Sequence, residues 1–520
     1  MMYLCDMKYP IGIQNFEKIR KDGYVYVDKT DFVWKLVNEG SYYFLSRPRR
    51  FGKSLLLSTL EAYFQGKREL FEDLAIAGKE KEWKQYPILH LDLNSRDYKD
   101  ESSLEAELNR HLDKWEKQYG DEYRDRAAEE RFIHVIENAY EQTGERVVIL
   151  VDEYDKPLLQ TINQTELQDA YRNKLKAFYS VLKTKDAMIR FAFLTGVTKF
   201  GKVSVFSDLN NLIDISMLPQ FTTICGITEE ELHRNFDESV ALLAHANGMS
   251  VSDCYERLKE DFDGYHFDVG APGMYNPFSL LNTLCFSVFR DYWFETGTPS
   301  FLVEQLQKTD YPLDMMTEEQ LSADSLNSID TIDENPLPLL YQSGYLTIQG
   351  YDREFKAYQL GFPNREVREG FIKYLVPYYT PRNRGKSQFN IALFVREVRS
   401  GNADGFMHRL ESLFANGDYQ VMGDRELYFQ NVMYVVFMML GFYVEVERHT
   451  TDGRMDVLMQ TKDFIYIFEL KIDQSADVAL RQIKERGYAL PFANDPRRLF
   501  KIGVNFSTDT KRIDDWKIED

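Results

Sequence analysis

A chain of 520 residues is too long for one hydrophobic core, so we expect several domains. The formal net charge of −20 argues against broad, sequence-independent binding to nucleic acid or to an anionic membrane, so any contact with nucleic acid must be local. The four cysteines form no C-x-x-C pair, which argues against a zinc site or a disulfide framework and favours reduced thiols in a cytoplasmic protein.

Neither an export signal nor a membrane-spanning segment is predicted. Residues 1–10 lack a basic region followed by a sustained apolar stretch. The strongest apolar run, Val432–Val444, is too short to span a bilayer and is typical of a buried helix. We therefore expect a cytoplasmic protein without a membrane partner.

From about residue 42 the first part of the chain alternates short apolar strands with longer helical patterns. This alternation predicts an α/β fold with a parallel sheet covered by helices on both faces. Ligands of such sheets bind at the carboxyl ends of the strands. The predicted strands are Tyr42–Ser46, Ile88–Asn94, Val147–Val151 and Phe191–Thr195, and the predicted helices are 54–64, 102–118, 127–141 and 164–184.

The loop after the first predicted strand has the pattern of a phosphate-binding loop. In such a loop the backbone N–H groups face an anion, Lys53 reaches the β- and γ-phosphates, and the Ser54 hydroxyl ligates Mg²⁺. Arg47 stands where the usual pattern has its first glycine, and Pro48 removes a donor. A chance Gly-Lys-Ser at a helix start is the alternative. The predicted nucleotide-binding residues of the loop are Arg49, Arg50, Phe51, Gly52, Lys53 and Ser54.

The apolar run at 147–151 ends in two carboxylates, Asp152 and Glu153. This is the Walker B pattern, in which Asp152 holds Mg²⁺ and Glu153 orients or deprotonates the attacking water. An aspartate that only caps a core strand is the alternative. After the fourth predicted strand, Thr195 or Thr198 is the candidate to contact the γ-phosphate from between the two motifs, and capping of a turn is the competing interpretation.

Beyond residue 225 the pattern changes to helices. Thr228 is a predicted N-cap, because three glutamates follow it and acidic side chains suit a helix N-terminus. Residues 1–225 are the predicted ATPase core and 226–330 a helical lid. Residues 331–380 are interpreted as a winged-helix-like module, because a helix at Leu337–Leu346 precedes a predicted β-hairpin. Many such modules bind DNA and others only pack between domains, so both alternatives stay open.

The last predicted domain, residues 381–520, carries a second group of charged residues. Symmetric pairing of two predicted strands places Asp456 opposite Ile467. Because side chains alternate along a strand, Asp456, Glu469 and Lys471 share one face, with diagonal neighbours roughly 7–8 Å apart between backbones. The two predicted strands are Gly453–Met459 and Phe464–Lys471.

Two carboxylates and a lysine on one face suit metal-assisted phosphodiester hydrolysis. Asp456 and Glu469 position the ion and its water, and Lys471 stabilises charge on the phosphate. Charges at the end of an apolar strand cost desolvation unless metal, substrate or mutual pairing compensates. The alternative is an ordinary ion pair between Glu469 and Lys471, with Asp456 capping a turn.

Two flanking helices fit the same site. Glu426, near the start of a predicted helix, is a third carboxylate within reach of the metal, and Gln482 lies on the helix after Lys471. Basic residues around Gln482 predict a local surface for nucleic acid, although a solvated helix face explains the same charges. These residues are Arg481, Lys484, Arg486, Arg497, Arg498 and Lys501.

Taken together, these motifs resemble the AAA-ATPase-like family of proteins fused to a C-terminal PD-(D/E)xK nuclease-superfamily domain. Arg47 in place of the first loop glycine is typical of that family. The resemblance implies that Lys53, Ser54, Asp152 and Glu153 form the ATP site. It equally implies that Asp456, Glu469 and Lys471 form the nuclease triad, supported by Glu426 and Gln482. The motifs that carry it are Tyr9–Ile13, Tyr26–Thr30, Arg47–Ser54, Val151–Asp155, Tyr275–Phe278 and Gly453–Asp456.

We therefore expect an ATP-dependent protein that uses Mg²⁺ and whose ATPase module controls a C-terminal nuclease, in bacterial defence against foreign DNA or in mobile-element biology. Mn²⁺ is an alternative metal at the nuclease site. The expected partners are ATP, nucleic acid (DNA in the first instance) and further copies of the chain. The competing hypothesis is a nucleotide-dependent switch or scaffold with a catalytically silent nuclease fold, and a third is an intact nuclease beside an inactive ATP site.

Overall fold

A computed structural model of the chain describes residues 7–200, 206, 209, 211–296, 300–329, 334–379, 390–415, 425–441, 445–451, 454–510 and 512–520. The chain divides into two compact units. The first comprises Met1–Gly297 and Glu319–Val367, and the second comprises Thr298–Glu318 and Arg368–Asp520. The four-part division predicted from the sequence stays a prediction.

The first unit is built on a five-stranded parallel sheet in the order β2-β3-β4-β1-β5. The carboxyl ends of β3, β4 and β1 therefore lie side by side, and the predicted parallel α/β sheet is confirmed. Its elements are α1 (Phe16–Lys21), α2 (Thr30–Glu39), β1 (Tyr42–Ser46), α3 (Lys53–Phe64), β2 (Ile88–Asp92), α4 (Glu101–Tyr119), α5 (Ala128–Thr143), β3 (Val147–Asp152), α6 (Lys156–Gln160), α7 (Thr165–Thr184), β4 (Ile189–Gly196) and β5 (Ile213–Asp214).

Burial along the strands follows their place in the sheet. Every residue of the inner strands β1 and β3 is buried, which is expected where helices cover both faces. The edge strand β2 alternates between buried and half-buried residues. Each of the four predicted strands is present, and β2 ends at Asp92, two residues before the predicted end.

The remainder of the first unit is helical with a small sheet. Thr228 caps α8 as predicted: its hydroxyl accepts the N–H of Glu231 at 3.1 Å, and its own N–H donates to Glu231 Oε2 at 2.8 Å. The elements are α8 (Glu229–Ala246), α9 (Val251–Phe262), α10 (Pro277–Phe286), α11 (Tyr292–Glu295), β6 (Gln320–Ser322), α13 (Ala323–Leu326), α14 (Leu337–Gln342), β7 (Thr347–Asp352) and β8 (Ala357–Gly361), with α12 (Ser300–Lys308) in the second unit.

The predicted helix and hairpin of residues 337–361 are present, and their sheet has the order β6-β8-β7. Helix α14 ends at Gln342, four residues earlier than predicted, because Gly344 adopts a left-handed φ of +88°. A Cβ on Gly344 would lie 2.6 Å from the Cβ of Pro48. This close approach packs the end of α14 against the loop after β1.

The second unit is built on a five-stranded mixed sheet in the order β13-β12-β11-β10-β9, in which only the β11–β12 pair is parallel. Strand β11 is buried along its whole interior, as a central strand should be. The elements are α15 (Arg365–Tyr379, which begins in the first unit), α16 (Ile391–Ser400), α17 (Ala403–Ala415), α18 (Arg425–Gly441), β9 (Glu445–Thr451), β10 (Arg454–Gln460), β11 (Phe464–Ile472), α19 (Ala476–Glu485), β12 (Arg498–Ser507) and β13 (Arg512–Glu519).

The predicted register of the β10–β11 hairpin was wrong by two residues. Asp456 pairs with Glu469, and it is Leu458 that pairs with Ile467. The Thr461 hydroxyl accepts the N–H of Phe464 at 2.9 Å, which closes the turn later in the chain than symmetric folding assumed. A shift of two residues preserves the alternation of faces, so Asp456 and Glu469 still belong to one face.

None of the helices in the described ranges is long and apolar enough to cross a membrane.

Replacing Gly344 by alanine should destabilise the first unit more than the same change at Gly248. Both residues have a left-handed φ, which costs an alanine about 1–2 kcal/mol. Only Gly344 faces a close neighbour, and overpacking adds about 1–3 kcal/mol there. Thermal and urea unfolding of the two variants would measure the difference, and equal losses would contradict the close packing of Gly344 on Pro48.

Candidate nucleotide and nuclease sites

The loop between β1 and α3 leads directly into the N-terminus of a helix. Gly52 has a φ of +97° and immediately precedes α3, whose first residue is Lys53. Glycine adopts this conformation without a Cβ penalty. It also supplies no capping side chain, so the first N–H groups of α3 stay available to a ligand at the positive end of the helix dipole.

Lys53 is held inside this loop. Its ammonium donates to the carbonyl oxygens of Arg47 at 2.9 Å and Pro48 at 3.0 Å, and only 6% of the residue is exposed. Burial lowers the pKa of Lys53, while the nearby carboxylates of Glu153 and Asp152 act in the opposite direction. The lysine and the acids at the end of β3 therefore lie within electrostatic range, as the sequence predicts.

The Ser54 side chain lies close to Asp152. Burial raises the pKa of Asp152, and the Ser54 hydroxyl and the Lys53 ammonium act in the opposite direction. Glu153 follows with a left-handed φ of +50° and donates its N–H to Asp152 Oδ1 at 3.0 Å. A non-glycine residue in this conformation is strained, and such residues cluster at functional sites. One hydroxyl and two carboxylates thus converge at the strand edge, a donor set that suits Mg²⁺.

Strand β4 lies between β1 and β3 and presents the two predicted threonines differently. Thr198 belongs to a turn: its hydroxyl donates to Asp155 Oδ2 at 2.6 Å, and its N–H donates to the same oxygen at 2.6 Å. The Thr195 hydroxyl is fully buried and has no hydrogen-bond partner among the described residues. Thr195 is therefore the residue of the pair that has a donor to offer to a ligand.

Asp155 is a residue whose importance the sequence reasoning missed. It is 1% exposed, burial raises its pKa, and its carboxylate accepts the N–H groups of Val197 and Thr198. Gly196 is required beside it, because a Cβ there would lie 2.3 Å from Asp155 Oδ1. The sequence does contain one signal for Asp155, which is its position directly after Asp-Glu-Tyr.

The other predicted loop residues divide between surface and core. Arg49 and Arg50 are exposed, and the Arg50 guanidinium lies 5.2 Å from the centroid of the Phe278 ring. Phe51 is 1% exposed and packs against Tyr265 with ring centroids 4.8 Å apart. Phe51 therefore anchors the loop to the core, and the two arginines keep their charged groups at the surface.

Arg47 explains the missing first glycine of the motif. Its guanidinium is buried and donates to the carbonyls of Ser216 at 2.7 Å and Phe221 at 3.1 Å. It also stacks on the Phe267 ring at 3.9 Å. Burial lowers the pKa of Arg47 to about 10. The side chain thus ties the loop to the segment after β5.

An apolar pocket opens beside the start of α3. Several of its wall residues come from the N-terminal motifs for which the sequence suggests no chemistry. Lys29 also borders it, donating to Glu231 Oε1 at 2.6 Å and to the carbonyl of Thr223 at 2.8 Å. The wall includes Pro10, Tyr26, Val27, Gly52, Leu55 and Pro277.

The buried carboxyl group of Glu366 is linked to the loop after β1 through Trp293. The Trp293 indole N–H donates to the carbonyl of Arg49 at 3.0 Å, and the Trp293 backbone N–H donates to Glu366 Oε1 at 2.8 Å. The Ser279 hydroxyl donates to the same oxygen at 3.0 Å. Burial raises the pKa of Glu366 to about 8, so the carboxyl is largely neutral at pH 7.

The free energy of unfolding should fall as the pH rises from 5 to 8.5, because the buried Glu366 loses its proton over this range. The pKa of Glu366 in the folded protein lies above the unfolded value of 4.5. Its contribution to the free energy of unfolding is therefore complete below pH 4.5 and is lost as the pH rises through 8. Glu366→Gln keeps the acceptor oxygen and should remove a pH-dependent loss of order 4 kcal/mol. Thermal unfolding at both pH values would measure it, with Glu354→Gln in the exposed turn as control. An unchanged pH dependence would contradict the assignment.

The second site lies on β10 and β11. The register sets residue 456 directly across from Glu469, and Lys471 follows two positions along β11. Glu469 and Lys471 are 0% and 2% exposed and form an ion pair with each other. The side chains of Asp456 and Glu426 lie outside the described residues, and the helix predicted around Glu426 is present as α18.

Neighbouring residues complete the description of this site. Asn505 is the parallel neighbour of Lys471 on β12, is buried, and accepts the N–H of Gln474 at 2.8 Å. The sequence reasoning missed it. Gln482 is half-buried on α19, which packs on β11 and β12. Within the described ranges, no three His, Cys, Asp or Glu side chains gather closely enough to hold a metal ion.

Several charges of the predicted basic surface are already paired. Lys484 contacts Glu519 at 2.7 Å, and Arg497 contacts Asp495 at 2.7 Å. Arg498 forms an ion pair with Asp520. These contacts favour the solvated-face interpretation for the three residues.

Comparison with known proteins matches each unit separately. Residues 10–206 match the family model described as predicted AAA-ATPase, and residues 424–516 match that of the PD-(D/E)XK nuclease superfamily. The chain is 35% identical to the "Uncharacterized protein in vnfD 5'region" of Azotobacter chroococcum mcd 1, over 98% of this chain and 99% of that protein.

A solved structure, the Aeropyrum pernix ORC2 protein in its ADPNP-ADP complexes, is 12% identical. The alignment covers 68% of this chain and 95% of the ORC2 chain with a TM-score of 0.25.

Proposed function

This chain belongs to the family of predicted AAA-ATPases that carry a C-terminal PD-(D/E)XK nuclease-superfamily domain, and on that premise we propose that it binds and hydrolyses ATP to control cleavage of nucleic acid. The observation that carries the proposal is the buried Lys53, held by carbonyls of the loop after β1 and near the carboxylates of Asp152 and Glu153 at the end of β3. A hydroxyl, a carboxylate and an ammonium at the carboxyl edge of a parallel sheet suit a metal-bound nucleoside triphosphate.

Each residue of this edge has a role in the proposal. Lys53 exchanges its loop carbonyls for the β- and γ-phosphate oxygens. Ser54 and Asp152 would hold Mg²⁺, whose charge neutralises the transferring phosphate. Glu153 orients the attacking water, and Thr195 donates to the γ-phosphate from the strand between the two motifs.

The apolar pocket beside α3 is proposed to take the base of the nucleotide. It adjoins the phosphate loop at Gly52 and is walled by Tyr26, Val27 and Pro277, which suits a flat ring with few polar contacts. Arg49 and Arg50, at the exposed end of the loop, are proposed to contact phosphate. The N-terminal motifs would then contribute directly to nucleotide binding.

In the second unit, Asp456 and Glu469 are proposed as ligands of a catalytic Mg²⁺ or Mn²⁺, with Glu426 as a third and Gln482 in support. Lys471 stabilises the charge that develops on the scissile phosphate. The proposal draws on the register that sets residue 456 across from Glu469. We further propose a cytoplasmic protein that acts on DNA as an oligomer, in defence or mobile-element biology.

One observation favours the alternative of a switch or scaffold with a silent nuclease fold. Glu469 and Lys471 are both almost inaccessible and neutralise each other. This mutual pairing offsets part of the desolvation cost of both charges without a metal or a substrate.

Nuclease assays on DNA and RNA, with and without ATP and with Mg²⁺ or Mn²⁺, test both modules. We expect Lys53→Ala to abolish ATP hydrolysis and the ATP dependence of cleavage, because the γ-phosphate loses its cation. Lys471→Ala should lower cleavage by at least about 100-fold and leave ATP hydrolysis intact, because it removes one charged transition-state contact.

Lys114→Ala, at an exposed lysine of α4, is the matched control for both variants. Cleavage that survives Lys471→Ala would remove Lys471 from the nuclease site, whereas a wild-type protein that never cleaves, together with a phenotype lost in Lys53→Ala, would establish the switch and reject the nuclease.

Thr195→Val distinguishes a catalytic threonine from a structural one. The substitution preserves shape and removes a hydroxyl that makes no described hydrogen bond, so stability should hold. ATP hydrolysis should fall about 10-fold or more, the cost of one lost donor to the transition state. Thr198→Val is the comparison, because it breaks the bond to Asp155 and should lower the thermal midpoint. Full activity in Thr195→Val would remove Thr195 from the site.

A further inference from the structure

A polar cleft opens at the carboxyl end of the edge strand β2, outside the ATP site. It lies between the loop after β2 and the first residue of α6, and the two regions are linked by the N–H of Leu93, which donates to the carbonyl of Asp152 at 3.2 Å. Its walls carry no apolar side chain. They are formed by Asn94, Ser95, Arg96, Asp97, Glu107, Arg110 and Lys156.

One buried carboxylate organises the cleft. Glu107 is 1% exposed and accepts the Ser95 hydroxyl at 2.6 Å, Arg96 Nε at 3.3 Å and Arg110 Nε at 3.1 Å. These bonds lower its pKa to about 2 against the burial that would raise it. Glu107 is therefore ionised at neutral pH and holds both guanidinium groups in place.

The two arginines keep donors for a ligand. Their side chains are 41% and 49% exposed, in contrast to the carboxylate that holds them. Arg96 uses only Nε among its described contacts, which leaves both terminal nitrogens, and Arg110 uses Nε and one terminal nitrogen. Lys156 is fixed by the carbonyl and side-chain oxygens of Asn94, and an ammonium has three donors.

We propose that this cleft, held by Glu107, binds phosphate groups of a nucleic-acid strand through Arg96, Arg110 and Lys156. The proposal rests on the proposed function, in which nucleic acid is the substrate of the second unit. Planar guanidinium groups match phosphate oxygens with two parallel hydrogen bonds, and lysine adds a point charge.

The chemistry of the cleft favours a polyanion over a small molecule. Its lining is polar throughout and lacks the apolar surface that small-ligand sites use. Three cationic and two acidic side chains line the cleft. One of the acids, the exposed Asp97, lies 3.3 Å from Lys99, which is not part of the lining. Because the chain has a net charge of −20, it repels a polyanion in general, and binding requires a local group of fixed cations such as this one.

The test is fluorescence polarisation of a labelled 30-nucleotide single-stranded DNA with the full-length protein, in EDTA so that no cleavage occurs. We compare wild type with the double variant Arg96→Gln/Lys156→Gln over a series of salt concentrations. Loss of two phosphate contacts should make the slope of log Kobs against log salt shallower by roughly 1.4, and weaken binding at low salt. Arg96→Lys/Lys156→Arg, which keeps both charges, should restore most of the affinity.

Arg124→Gln/Lys174→Gln, at an exposed and a half-buried position of the same unit, is the matched control and should keep the wild-type slope. An unchanged affinity and slope in the Arg96/Lys156 variant would overturn the proposal, as would equal weakening in the control. Because the assay requires neither ATP nor metal, a protein that binds DNA at the cleft yet never cleaves it would reject the nuclease and leave this inference standing.

Discussion

Buried charge at the carboxyl edge of the first sheet is the constraint on which the proposed ATP site depends. Arg47, Lys53, Asp152 and Asp155 are each less than a tenth exposed there. Isolated charges in such a setting are strongly destabilising. Loop carbonyls compensate the two cations, and hydroxyl and N–H groups compensate the two carboxylates. These partners meet only because β3, β4 and β1 are neighbours in the sheet.

The strands of this sheet could be predicted from the sequence and their order could not. A continuous apolar run is a local signal, and β1 and β3 show it over Tyr42–Leu45 and Val147–Val151. The order of the strands arises from contacts between distant segments. Arg47 is an example, since its partners Ser216 and Phe221 lie 169 and 174 residues away. No local pattern could have shown that this arginine replaces a glycine by turning into the core.

In the second unit the alternation of faces was predictable, and the register was not. Symmetric folding of a hairpin assumes that the turn lies midway between the strands, whereas the Thr461 hydroxyl moves the turn toward β11. The shared face of Asp456 and Glu469 survived because the shift was even. The two threonines near the end of β4 show a related limit: the sequence proposes both, and only hydrogen bonding separates Thr198 from Thr195.

The contact between Gly196 and Asp155 has an evolutionary consequence. Even a methyl group at position 196 would collide with the carboxylate that holds the following turn. We therefore expect the two positions, 41 residues apart, to change together. A homologue with a larger residue in place of Gly196 must also have shortened or lost the acid corresponding to Asp155, and covariation at these two positions would mark the lineages in which this edge of the sheet was rebuilt.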